Sequence, residues 1–272
     1  MKLTTSNPYL SLFRIRFINN LQYRTAALAG LATQFVWGLM QLLAFKAFYT
    51  TNPHAFPMLF EHTVAYIWLQ QAFLALFMMW FYEMDIFDLI TNGNVAYELS
   101  RPIDIYWKWF MQTLASRSSK AVLRCMPVLI LAFLVPKPYR LILPDSFLQF
   151  VLFVVAMLLG LLVVVSFSML VYISIFYTTS SQGIRIMVAA LSDFLAGALI
   201  PLPFFPDRIK QFISFLPFAS MQSTPLLIYS GHFSGYQLLK SLTLQVFWLV
   251  ALLVIGRILM ASAIKKTVVQ GG

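Results

Sequence analysis

The chain has 272 residues, 60% of them hydrophobic and 16% aromatic, while only 10% are charged, and its mean hydropathy is +0.80. A soluble domain of this length needs more polar surface than that composition supplies. The formal charge is +10, but the basic residues sit near the ends of apolar runs and form no tract, a pattern that suits anionic lipid headgroups and argues against a nucleic-acid partner.

The apolar runs are continuous, without the period of two that marks outer-membrane strands, and several reach about 18 residues, enough to cross a hydrocarbon core of about 30 Å as helix. The expected fold class is an all-α polytopic membrane protein, a single transmembrane domain over 1–272. No cleavable signal peptide is apparent, because the first apolar run begins near Thr25 and continues as a full span. Ahead of it, Ser6-Asn7-Pro8 reads as a cap with proline at the first helical position, and Leu10, Phe13, Phe17 and Leu21 recur at helical spacing. This predicts an interfacial helix within 1–24 lying on the cytoplasmic leaflet.

Six spans follow, at about 25–48, 62–82, 121–135, 148–176, 184–203 and 240–260. The third is short and contains Arg124, yet its helical pattern extends back to about Ile103, so one helix entering from the aqueous side can cross with Arg124 snorkelling. With the N-terminus placed in the cytoplasm, the inner segments hold Lys2, Arg14, Arg16 and Arg24, then Arg101, Lys108, Arg117, Lys120 and Arg124. Arg185, Arg257, Lys265 and Lys266 join them. The outer segments hold only Lys137, Arg140, Arg208, Lys210 and Lys240, with Lys46 near the outer end of the first span. Both termini are therefore expected inside.

Glu83, Asp85, Asp88, Glu98 and Asp104 fall in one cytoplasmic interval, 83–120. Asp85 to Thr91 reads as a short helix ended by Asn92-Gly93, and Asn94 to Ser100 as a second piece. Pro102 then starts a long helix, with Asp104 in its first turn where the dipole favours an anion. The piece between the breaks reads as a compact projection suited to a polar protein contact. The plainer reading is a solvated connection, although the interval is longer than a connection requires.

Between the fifth and sixth spans, Asp207 opens an amphipathic helix with Ile209, Phe212, Ile213 and Leu216 on one face. Pro201, Pro203, Pro206 and Pro217 bracket it. An apolar, proline-broken stretch over 203–235 predicts a re-entrant segment in the outer leaflet.

Chemistry is sparse. No GxxxxGK[ST] loop, Ser/His/Asp arrangement or HExxH occurs; Cys125 is single, and His54, His62 and His232 are scattered. The chain is expected not to be an enzyme and to bind no metal, so any hydrolysis that drives it belongs to another chain. Asp193 is the acidic residue inside a span. It either lines a pathway facing a cationic group or is a structural pin, protonated or hydrogen-bonded to Ser192 or to another span's hydroxyl. Arg117, Lys120 and Arg124 share a helical face, as guides for an anionic substrate or lipid headgroup or as inner-leaflet anchors.

Two segments carry a resemblance: ITNGNVAYELSRPIDIYW after the second span, and ALSDFLAGALIPLPFFPDRIKQFISFLPFASMQSTPLLIYSGHFSG between the fifth and sixth. With the N-terminal helix and six spans, nearly the whole chain resembles an ABC exporter permease of the drug, lipid and polysaccharide type, in the subgroup often found as adjacent pairs. The resemblance implies a second permease chain, identical or related, alongside this one, and two cytoplasmic ATPases that carry the ATP and magnesium. It implies no cofactor on this chain. It assigns Gly93, Glu98, Leu99, Arg101 and Pro102, with Asp88 and Asp104 beside them, to ATPase coupling. Asp193 and Gly197 become substrate-pathway candidates, and Pro201, Pro206, Pro217, Pro225 and Gly231 an outer gate. The implied substrate is hydrophobic or amphipathic, a drug, peptide antibiotic or lipid-like molecule, exported across a bacterial cytoplasmic membrane. A stand-alone secondary transporter or channel would show several ionisable groups facing one another within spans, and only Asp193 qualifies. A lipid-acting membrane enzyme would need a His/Asp/Glu cluster, which is lacking.

Overall fold

The computed structural model describes residues 7–22, 30–51, 56–178 and 180–265, and these are helical, with no strand among them. The start of the first predicted span (25–29), Lys2, Arg24, His54 and Lys266 lie outside the described residues.

Helix α1 (Pro8–Leu21) begins as the sequence predicts: the Asn7 side chain accepts the Tyr9 N–H, and Pro8 occupies the first turn. It packs along a long helix, α7 (Ile105–Leu134), and the Tyr9 hydroxyl accepts the Asp104 N–H at 3.2 Å. Leu10, Ile15 and Ile18 remain exposed on its outer side. Thus the helix has two apolar faces, one against protein and one free.

Among the described residues, three helices are long and apolar enough to cross a membrane: α2 (Leu31–Thr51), α8 (Phe147–Ser174, extended by a 3-10 turn to Tyr177) and α13 (Gly235–Lys265). Of the other predicted spans, the second and fifth differ from the sequence expectation, while the third lies in a single helix that reaches back close to Ile103 as expected. The second is not continuous: α3 (Phe60–Ala72) breaks at Phe73, α4 (Leu74–Phe77) adds one turn, and the chain runs irregularly to Glu83. The third belongs to α7, whose 30 residues measure about 45 Å. That helix starts at Ile105 with Asp104 as its cap, so Pro102 stands before the helix and not in its first turn.

The fifth predicted span also ends early. Helix α9 (Ser181–Leu195) has 15 residues, about 22 Å, and stops where Gly197 takes a φ of +79°. A side chain at Gly197 would meet the Ser223 Oγ at 2.5 Å and the Tyr66 hydroxyl at 2.8 Å, so both the turn and the packing require glycine. Short pieces follow, the first two each opened by a proline that cannot donate an N–H to a preceding helix. They are α10 (Asp207–Phe215) after Pro206, α11 (Pro217–Met221) starting on Pro217, and α12 (Ser223–Tyr229).

Helices α11 and α12 pack against α8. Gln149 donates to the carbonyls of Ile228 and Tyr229 at 3.1 and 2.7 Å, while Gln245 of α13 bridges the carbonyls of Ala156 and Ser220. Every residue of α12 is buried. One continuous apolar core joins α3, α7, α8, α12 and α13. The bundle thus has an acidic end, with Glu83 to Asp104, and a proline-rich end, with Gly197 to Gly231.

Candidate functional site

At the acidic end, α5 (Met84–Thr91) and α6 (Val95–Leu99) form a compact hairpin around Gly93, whose φ is +72°. Both short helices were legible from their breaks. The hairpin is two-sided. Ile86, Phe87 and Val95 are buried against the bundle, whereas Tyr97, Leu99, Arg101 and Pro102 face outward.

Glu98 belongs to the inner side. Its carboxylate is 10% exposed, bonds to the Lys108 ammonium on α7, and lies 3.8 Å from Arg101, whose own side chain is 61% exposed. Asp85 approaches Arg16 of α1 at 4.0 Å. Between these groups opens a groove of about 390 Å³ whose walls include Arg16, Asp85, Asp88, Glu98, Arg101 and Lys108. Alternating charges of both signs suit a polar protein surface that demands a matching pattern, and they disfavour a simple anion or cation site.

Of the predicted coupling residues, Asp88, Glu98 and Arg101 meet at this groove, Leu99 and Pro102 flank it in the open, and Gly93 makes the turn. Asp104 stands apart. It caps α7 by accepting the Trp107 N–H at 3.1 Å and bonds to Arg257 of α13. Partial burial works against its charge, but Arg257 and the helix N–H groups outweigh that and hold its carboxyl below the usual carboxylate range. Asp104 therefore ties α1, α7 and α13 together.

A buried polar layer lies behind the hairpin, and sequence reasoning missed its centre. Arg117 is 1% exposed. It donates to the carbonyls of Leu76, Met78 and Phe81 at 3.1, 2.9 and 2.7 Å, with Ala75 at 3.5 Å. These are the acceptors stranded where α4 ends inside the protein, and a guanidinium with its fork of donors can serve several at once. Arg117 is thus neither a headgroup anchor nor a substrate guide. Nothing in its spacing revealed this; the nearest hint is that residues 78–82 contain no residue able to cap α4 themselves. Next to it, Lys120 lies 3.7 Å from Glu83, and the Glu83 N–H donates to the Tyr172 hydroxyl of α8 at 2.9 Å. Arg124 does not share this layer. Its guanidinium sits against Gly30 and over the Phe81 ring at 5.8 Å. Arg185 of α9 lies over the Phe87 ring at 5.1 Å, which joins the hairpin to α9.

At the proline-rich end, the chain after α9 is held by neutral groups. The Tyr66 hydroxyl donates to the Gly197 carbonyl at 3.0 Å, Gln70 to Ala198 at 2.7 Å and Ser223 to Ala196 at 2.7 Å. Asp193 is half-buried nearby. Its backbone carbonyl accepts the N–H groups of Ala198 and Leu199, while its Oδ1 is buried and has no partner among the described residues. A pin between that oxygen and Ser192 is therefore not made. Pro201, Pro217 and Pro225 are buried in the packing, and Pro206 and Gly231 are exposed at its edge. These residues punctuate one folded segment and do not converge on one point.

A family model described as an ABC-2 family transporter protein matches residues 35–271, which takes in the whole hairpin and the proline-rich segment. No curated protein matches the chain.

Proposed function

The chain belongs to the ABC-2 transporter family, and from that premise we propose that it is the membrane permease of an ATP-driven exporter whose energy enters through the α5–α6 hairpin. Permeases of this family generally work with ATPase subunits. In this reading ATP and magnesium act on those partners, this chain is not itself an enzyme, and a second permease chain, identical or related, completes the pathway. The acidic end and both termini face the cytoplasm of a bacterial cell, in accord with the bias of Lys and Arg. The substrate is a hydrophobic or amphipathic molecule.

The observation that carries this reading is the two-sidedness of the hairpin. Its outer face offers Tyr97, Leu99 and Arg101 to a partner, while its inner face is fastened through Glu98–Lys108 to α7. Glu83 and Arg117 extend the connection to α8, and Arg185 extends it to α9. A push on α6 is then shared by three helices instead of being absorbed in a loop. Gating needs only two packings of this bundle, biased by the partner. The proline-rich segment acts as the outer gate, dipping into the outer leaflet, with Asp193 and Gly197 at its threshold.

Purification of the tagged chain from its native host, with the co-purifying ATPase quantified, provides the test. Arg101→Glu combined with Leu99→Ala should leave the permease folded yet reduce the ATPase recovered with it by about tenfold or more. Undiminished recovery would remove the hairpin from the coupling role.

A further inference from the structure

We propose that the cavity between α10 and α13 binds the phosphate group of an anionic amphiphile. This does not depend on the exporter reading, nor on which way the chain faces.

The cavity has a volume of about 230 Å³, enough for a phosphate headgroup. Three nitrogen groups converge on it from three elements: Lys210 on α10, Lys240 on α13, and His232 in the turn that follows α12. No carboxylate lines it. Lys210 bonds to Asp207 on the exposed side of α10 at 2.7 Å, so part of its charge is already balanced. The Lys240 ammonium is placed differently. It lies over the Phe215 ring at 5.1 Å and makes no carboxylate pair among the described residues, which leaves it available to an incoming anion. Burial first, then Lys210 and His62, push the His232 imidazole below its usual range, as expected for a cavity of positive potential.

Gln211 and Gln237 add amide donors to the walls, while the Ser214 and Ser241 hydroxyls donate to the carbonyls of Gln211 and Gln237 in their own helices. Donors this numerous, on several sides, match the multiple oxygens of a phosphate better than the two of a carboxylate. The rest of the lining is apolar, with Leu202, Leu227 and Leu244. Beside the opening, Phe212 and Phe215 of α10 and Leu239 of α13 expose more than half of their surface. A charged head above an apolar track is the pattern of an amphiphile whose chains lie along the protein. A free phosphate would satisfy the head alone.

The test uses the full chain, purified in a neutral maltoside detergent and titrated with dioctanoyl phosphatidylglycerol, dioctanoylglycerol and inorganic phosphate, with occupancy read by native mass spectrometry. Phosphatidylglycerol should occupy one site, and dioctanoylglycerol, which lacks the phosphate, should bind at least about tenfold more weakly. Lys240→Gln removes one charge-assisted contact and should weaken phosphatidylglycerol by about tenfold or more. Lys240→Arg should retain binding. Gln237→Glu, an exposed and nearly isosteric change, should repel the anion without disturbing the fold. Inorganic phosphate binding about as tightly, with the same sensitivity to Lys240→Gln, would assign the site to a free anion and uphold its phosphate chemistry. The proposal is overturned if dioctanoylglycerol binds as well as phosphatidylglycerol, or if neither Lys240→Gln nor Gln237→Glu changes binding.

Discussion

At the acidic end α4 stops at Phe77 and a single guanidinium, Arg117, gathers its stranded carbonyls; at the proline-rich end α9 stops at Leu195, and Tyr66, Gln70 and Ser223 each take one carbonyl of residues 196–198. The backbone problem is the same and the chemistry is opposite. A shared cationic cap fails all at once, because its loss leaves several buried acceptors unpaired. Separate neutral caps fail one at a time, and each costs little to exchange. The first arrangement suits a rigid seat beneath the α5–α6 hairpin, and the second suits a segment able to repack, as the proposed function requires.

That contrast can be broken by stability measurements. Arg117→Ala should have the largest effect, about 3–5 kcal/mol, because three buried carbonyls lose their donor at once, seen as loss of folded protein or a steep fall in the thermal midpoint of purified material. Arg117→Lys should fall between, since one ammonium cannot fork across three carbonyls. Gly197→Ala comes next. The left-handed backbone alone costs about 1–2 kcal/mol, and contact with Ser223 and Tyr66 adds to it. Adding Ser223→Ala should recover part of the loss. Tyr66→Phe should cost only about 1 kcal/mol. If it proves as damaging as Arg117→Ala, the distinction between a shared and a divided cap disappears.

The smallest effect concerns pH. The Asp104 carboxyl is held below its unfolded value of about 3.9, so its contribution is complete above about pH 4 and lost as pH falls through the depressed native value. Acidification below pH 4 should therefore loosen α13 from the start of α7, and Asp104→Asn should make hydrogen exchange in α13 less sensitive to that change.

Local signals were the legible ones. Asn92-Gly93 and Pro102 marked the hairpin because turn chemistry is written in adjacent residues, and the prolines near 201–217 marked the short helices for the same reason. The break at Phe73 left no such mark. Residues 60–79 contain neither glycine nor proline, so the apolar pattern runs straight through a discontinuity imposed by packing. Arg117 was unreadable because the carbonyls it serves lie on a different helix, and its neighbours Lys120 and Arg124 imitate an interfacial row. The stripe on α10 was half right: the helix forms, but Ile213 is buried while Ile209 and Phe212 face outward. Periodicity identifies an apolar face without saying which neighbour, lipid or protein, will cover it.

The hairpin as the point where partner energy enters is the central claim, and disulfide-independent photocrosslinking tests it most directly. A photoreactive residue placed at Tyr97, which is 75% exposed, should form a covalent adduct with the co-purifying ATPase, while one placed at the proline-rich end, at Phe212, should form none. Crosslinking from Phe212 with none from Tyr97 would contradict the account.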